Sequence, residues 1–244
     1  MRDWLYEKVV RYSWVISEGP GLVNQLTQAT LSKKDRLKEG TENPTIIIPG
    51  LGFTNKSLGL THKILREKNH TTIEWCHSLN TGFKESILED TIKQVIETSN
   101  EYGKKVNLVG FSLGGCYARA VANRASHYVN FVLTLGSPIR GITEVNENSL
   151  KVYDLISQEE NSAFTHYYSN HYQFFINPPV PTTSIYSRRD KVVPYHHSFI
   201  EETDRAENIE VDCGHAGLPF SVESLEILTD RLGQIPKYWK KYRR

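Results

Sequence analysis

The chain is poor in the features that announce several protein classes. It has three cysteines in 244 residues, Cys76, Cys116 and Cys213, far apart and odd in number. That excludes a disulfide framework and a cysteine metal-ligand spacing, and it favours a reducing, cytoplasmic setting. Charge of either sign is not in excess: 29 Lys and Arg offset 28 Asp and Glu. A balance of that kind gives no general reason to expect a nucleic acid partner. No apolar run approaches the length that crosses a bilayer. Charges interrupt every apolar run of Met1-Arg2-Asp3-Trp4-Leu5-Tyr6-Glu7-Lys8-Val9-Val10, which does not fit a secretory leader. Internal repeats and low-complexity tracts are missing as well. What remains is an ordinary globular composition, 39% hydrophobic and 23% charged, long enough for one well-buried α/β domain spanning 1–244.

The order of patterns along the chain gives the class. Residues 1–40 read as an amphipathic helical extension, broken at Gly19-Pro20-Gly21. Thr45-Ile46-Ile47-Ile48 is a continuous β-branched run ended by Pro49-Gly50, the pattern of a strand buried on both faces. Helical periodicity is expected over 57–68 and 84–102, with a strand at 71–75 between them. Strands are expected at 106–110, 129–135, 183–186 and 208–211, and helices after Leu113 and over 225–232. The rhythm lapses at about 142–181, where Phe164, Tyr167, Tyr168, Tyr172, Phe174 and Phe175 precede the proline-rich 177–181. Strands alternating with helices imply a doubly wound, mostly parallel sheet, whose ligands bind outside the carboxyl ends of the strands.

The most informative stretch is Val106-Asn107-Leu108-Val109-Gly110-Phe111-Ser112-Leu113-Gly114-Gly115-Cys116. It is a G-x-S-x-G motif between a strand and a helix, the context in which that motif forms a nucleophile elbow. Such a turn presents the Ser112 hydroxyl clear of the sheet, and Gly110 and Gly114 omit side chains that would strike neighbouring backbone. A serine hydroxyl needs a base to take its proton and a group to orient that base. Loops after later strands reach the same rim. Asp190 follows the strand ending near Tyr186, and His215 follows the strand ending near Val211. Asp204 and Asp212 are the other candidate acids, Asp212 being read as still within its strand. The pair His196-His197 is the other candidate base. Arg188, Arg189 and Lys191 offer Asp190 an ordinary surface ion pair instead.

Taken together, Pro49-Gly50-Leu51-Gly52, Gly110–Gly115, Leu135–Gly141, Ser187–Pro194 and Gly214–Leu218 resemble the α/β-hydrolase superfamily, especially its bacterial lipase- and esterase-like members. The resemblance spans about 44–233. It implies the α/β-hydrolase fold with a helical cap insertion at about 142–181, whose aromatics would line an apolar acyl pocket. It also implies the roles of nucleophile for Ser112, base for His215 and orienting acid for Asp190. The backbone N–H groups of Leu113 and Leu51 would form the oxyanion hole, with Gly52 the alternative to Leu51. The implied activity is hydrolysis of an apolar acyl ester through an acyl-enzyme, without cofactor or metal. The same machinery suits an acyltransferase or thioesterase, and the fold alone suits a non-catalytic binding module. Cys116 and Cys213, close to the motifs, are expected to be inert buried thiols. The basic, aromatic segment Lys237–Arg244 is open to two readings, a solvated tail or a weak peripheral contact with an anionic membrane.

Overall fold

The computed structural model describes residues 36–140 and 176–243. The expected extension at 1–40 and the aromatics of the insertion fall almost wholly outside the described residues. Six strands form one sheet: β1 (Thr45–Ile48), β2 (Thr72–Glu74), β3 (Val106–Phe111), β4 (Val129–Leu135), β5 (Thr182–Tyr186) and β6 (Ala206–Glu210). Their order is β2-β1-β3-β4-β5-β6, and every neighbouring pair is parallel. Parallel neighbours cannot be joined by tight hairpins, so each connection must cross over the sheet. The crossovers carry helices α1 (Gly59–Glu67), α2 (Glu85–Tyr102) and α3 (Leu113–Arg124), and α4 (Val222–Leu232) follows β6.

The alternation of side chains along the strands decides which helix packs on which face. Ile46 and Ile48 of β1, Val106 and Leu108 of β3 and Val132 of β4 pack with Leu88 and Val95 of α2 and Tyr117 and Val121 of α3. The intervening Ile47, Val109, Phe111 and Leu133 pack with Ile64 and Leu65 of α1 and Leu225 and Leu228 of α4. The sheet is therefore covered on both sides, as the run at 45–48 predicts. All four residues of that run are at most 1% exposed. Each isoleucine so buried contributes roughly 1.5–3 kcal/mol by transfer from water.

The chain turns from one side of β1 to the other between β2 and β3. The adjacent carboxyl ends of β1 and β3 are consequently a topological switch point, the place where open parallel sheets hold ligands. Pro49-Gly50-Leu51 and Ser112 lie there. No helix among the described residues is long and apolar enough to cross a membrane.

Two boundaries depart from the sequence reading for physical reasons. β6 begins at Ala206 and ends at Glu210, so Asp212 lies beyond the strand rather than in it. The signal was hidden by Glu207, a charge within a strand, which is buried because it pairs with Arg231 at 2.9 Å. α4 begins three residues earlier than its apolar pattern, because Ser221 caps it by accepting from the Ser224 amide.

The same ion pair explains the end of the chain. Arg231 Nη1 donates to Glu207 Oε1 and to the Lys240 carbonyl, and the Tyr242 amide donates to Glu207 Oε2 at 2.7 Å. The rings of Trp239 and Tyr242 flank the guanidinium, 5.8 and 5.4 Å from its carbon. Trp239, the Lys240 carbonyl and Tyr242 thus hold the end of the chain against α4 and β6, while Lys237, Tyr238, Lys240, Lys241 and Arg243 are exposed. With side chains only 3% and 5% exposed, Arg231 and Glu207 depend on each other. Replacing Arg231 by leucine strands a buried carboxylate and should lower unfolding free energy by about 3–5 kcal/mol. Urea denaturation measures this, and a loss below about 1 kcal/mol, the range of an exposed pair, would contradict it.

Candidate active site

Ser112 occupies the single position between the end of β3 and the start of α3. Its backbone lies at φ 51°, ψ −124°. Only one other non-glycine among the described residues, Asn69, has positive φ. A non-glycine held in such a region costs about 1–3 kcal/mol and persists only where surrounding contacts enforce it. Those contacts are present: the Ser112 amide donates to the Leu135 carbonyl at 2.8 Å, and its own carbonyl accepts from Gly115 at 3.0 Å. The flanking glycines permit the close packing. A methyl group on Gly110 would lie 2.4 Å from the backbone of Gly114, and one on Gly114 would lie 2.2 Å from the Ile48 carbonyl oxygen. Both obstacles are main chain, which cannot swing aside. The elbow is thereby pressed against the end of β1, and α3 begins directly behind the serine with its amide-bearing end towards the rim.

Asp190 and His215 meet at the same rim. His215 Nδ1 lies 2.5 Å from Asp190 Oδ2, and both side chains are essentially inaccessible, at 0% and 1% exposure. The other carboxylate oxygen, Oδ1, accepts from the amides of Val192 and Val193, each at 2.8 Å. One oxygen of Asp190 is therefore anchored to its own loop and the other is aimed at the imidazole. With Nδ1 facing the carboxylate, Nε2 is on the opposite side of the ring from Asp190. The imidazole packs on Phe111, the residue before Ser112, with ring centroids 5.0 Å apart. At the end of β4, a methyl group on Gly136 would sit 3.0 Å from Asp190 Oδ2 and 3.2 Å from His215 Nδ1. Residues from the ends of β3, β4, β5 and β6 converge there.

The competing partners are engaged elsewhere. Arg188 pairs with Glu210 at 3.1 Å and Arg189 with Asp212 at 3.3 Å, both on exposed surface. Neither arginine takes Asp190. Asp204 is exposed. The rings of His196 and His197 contact each other at a tilt, with centroids 4.4 Å apart, within a short 3-10 turn. Cys116 and Cys213 are buried and in no disulfide.

The turn after β1 lies against the serine, since a methyl group on Gly50 would come within 2.9 Å of Ser112 Cβ. Its amides are not equivalent. Gly52 donates to the Asn80 carbonyl at 2.8 Å, and Phe53 donates to the Gly50 carbonyl at 3.0 Å. Of the two amides the sequence left open, that of Gly52 is committed to Asn80, which leaves Leu51 as the candidate from this turn. Two features were not anticipated. The amides of Val192 and Val193 on Asp190 follow a local habit of aspartate, which accepts from N–H groups two and three residues on. Asn80 gave no usable signal, because Asn80-Thr81-Gly82 reads as an ordinary turn.

Arg119 of α3 is wholly buried and holds the chain where it re-enters the described structure, donating to the Ile176 carbonyl and to Asn177 Oδ1. Burial lowers its pKa to about 10, which still leaves it charged at neutral pH. Among the described residues, no group of three His, Cys, Asp or Glu side chains could hold a metal ion.

The six-stranded parallel sheet with helices on both faces is the α/β-hydrolase fold. The palmitoyl protein thioesterase family model matches residues 44–183, more than half of the sequence, and the chain belongs to that family. The matched stretch includes Ser112 and stops before Asp190 and His215. Solved structures agree on the fold. A lipase-esterase related protein from Clostridium acetobutylicum is 14% identical, with a TM-score of 0.56 over 79% of this chain and 95% of that one. Lipase B of Aspergillus fumigatus, also 14% identical, gives a TM-score of 0.64 over 80% of this chain and 53% of its own. MGS-MChE2, an α/β hydrolase from a metagenome of sediments of the Mar Chica lagoon, Morocco, is 21% identical, with a TM-score of 0.54 over 80% and 92%. No curated protein matches the sequence.

Proposed function

We propose that the protein is a serine hydrolase that cleaves acyl esters and thioesters through an acyl-enzyme. The observation that carries this reading is the His215–Asp190 hydrogen bond of 2.5 Å, at the rim where Ser112 is held in its strained turn. Ser112 Oγ attacks the carbonyl carbon while His215 Nε2 takes its proton. Asp190 holds the ring in the tautomer that leaves Nε2 basic, and stabilises the imidazolium once formed. Negative charge on the carbonyl oxygen is met by the Leu113 and Leu51 amides. The C–O or C–S bond then breaks, His215 returns the proton to the departing alkoxide or thiolate, and water repeats the sequence to release the acid.

The family match supports the thioesterase alternative beside the ester reading. A thiolate is the better leaving group, so thioesters lean less on proton donation by His215. Matched series of p-nitrophenyl esters and acyl thioesters, graded in chain length, provide the test. Hydrolysis of both series, rising with acyl length, is expected. Turnover of esters alone would remove the thioester half, and turnover of neither, with no labelling by a fluorophosphonate, would favour a non-catalytic binding module.

A further inference from the structure

We infer that Asn80 is a positioning residue, which fixes the turn bearing the Leu51 amide and, through Tyr117, ties it to the helix bearing the Leu113 amide. The inference rests on the hydrolase reading given above. Asn80 lies in Ser78-Leu79-Asn80-Thr81-Gly82, beyond β2, and is 0% exposed. Burying an amide side chain is unfavourable unless its hydrogen bonds are replaced. Here main-chain groups replace them. Nδ2 donates to the Pro49 carbonyl at 2.7 Å, and Oδ1 accepts from the Gly82 amide at 3.2 Å. The Asn80 backbone contributes as well, accepting from the Gly52 amide at 2.8 Å and donating to the Phe53 carbonyl at 3.0 Å.

These bonds grip the turn at Pro49 on one side of Leu51 and at Gly52 and Phe53 on the other. None uses the Leu51 amide itself. An antiparallel bridge between Thr54 and Leu79 extends the grip. The same loop is anchored to α3. Tyr117 Oη donates to the Gly82 carbonyl at 2.6 Å and accepts from the Lys84 amide at 2.8 Å. Tyr117 stands one helical turn after Leu113 and is wholly buried, stacked on Phe83 at 4.5 Å. The two amides thus belong to one hydrogen-bonded frame, in which Asn80 and Tyr117 are the side-chain links. That frame matters because an oxyanion donor acts only when it stands about 2.7–3.1 Å from the developing charge.

The test compares wild type with Asn80→Ala, Asn80→Asp and Tyr117→Phe. Active sites are counted by fluorophosphonate titration, so that kcat refers to folded, labelled enzyme. Deleting an oxyanion donor costs about 10²–10³ in kcat, so a displaced one should cost about 10–100-fold in both Asn80 variants, with KM within about twofold. Tyr117→Phe should lose about tenfold, since its loop keeps the Asn80 contacts. An alkyl boronic acid, which mimics the tetrahedral intermediate, should bind more weakly by the same factors as kcat falls. A purely structural role would lower thermal stability and the number of titratable sites while leaving kcat per site and boronate affinity unchanged. That result would overturn the inference. Asn80→Asp preserves size and the Gly82 contact, so it carries the test if Asn80→Ala does not fold. A wild-type protein that fails to label at Ser112 would instead refute the hydrolase reading, and this inference with it.

Discussion

Ser112→Ala should reduce turnover of an ester or thioester by about 10⁴-fold or more, while KM changes little. The residue loses only its hydroxyl, and the turn around it stays. What survives is catalysis by binding and by the two amides, which does not require a nucleophile. The backbone supplies an independent check. Alanine retains a Cβ at φ 51°, so the strain remains and stability should be unchanged. Glycine relieves that strain at some entropic cost in the unfolded chain, so Ser112→Gly should be equally inactive but about 1 kcal/mol more stable. Denaturation midpoints for the pair measure this. Greater stability with lost activity is the pattern of a position strained for function. If Ser112→Gly were destabilised by the loss of a side chain, the serine would be a packing residue instead.

Asp190→Asn should be nearly as severe, with kcat falling by about 10⁴-fold. The local bonds give the reason. Two amides, from Val192 and Val193, hold Oδ1. In the variant the amide oxygen takes that place, because an NH₂ group cannot accept from them. The NH₂ is thereby turned towards His215 Nδ1. The imidazole must then accept at Nδ1 and carry its proton on Nε2, where it cannot serve as a base. The geometry survives while the tautomer is wrong. Histidine ¹⁵N chemical shifts should report the proton moving from Nδ1 to Nε2. Near-normal turnover in the variant would mean that Asp190 is a structural anchor for its loop.

The sheet was legible because β1, β3 and β4 are buried on both faces and are written mostly in apolar or β-branched residues, with Asn107 and Asn130, bonded to each other, as the polar exceptions. The elbow was legible because its glycines are demanded by main-chain collisions at Gly114 and Ile48, a constraint that sequence must obey. Asp190 and His215 could be nominated from their positions after late strands. The hydrogen bond between them is long-range and could not be read directly. β6 was read short because the buried charge of Glu207 depends on Arg231, 24 residues away. Asn80 escaped notice for a similar reason. Its partners at Pro49 lie 31 residues earlier, and an asparagine before a threonine and a glycine has the local look of a turn. Polar groups buried through distant partners are the part of this fold that local pattern does not encode.

The most direct measurement is mass-spectrometric mapping of the native protein after reaction with a fluorophosphonate. One adduct per chain, on the peptide containing Ser112, is expected, and it should vanish on prior unfolding and in His215→Ala. Labelling that persists in His215→Ala at the native rate, or that falls on another serine, would contradict the account, since no imidazole would then be activating the hydroxyl at the elbow.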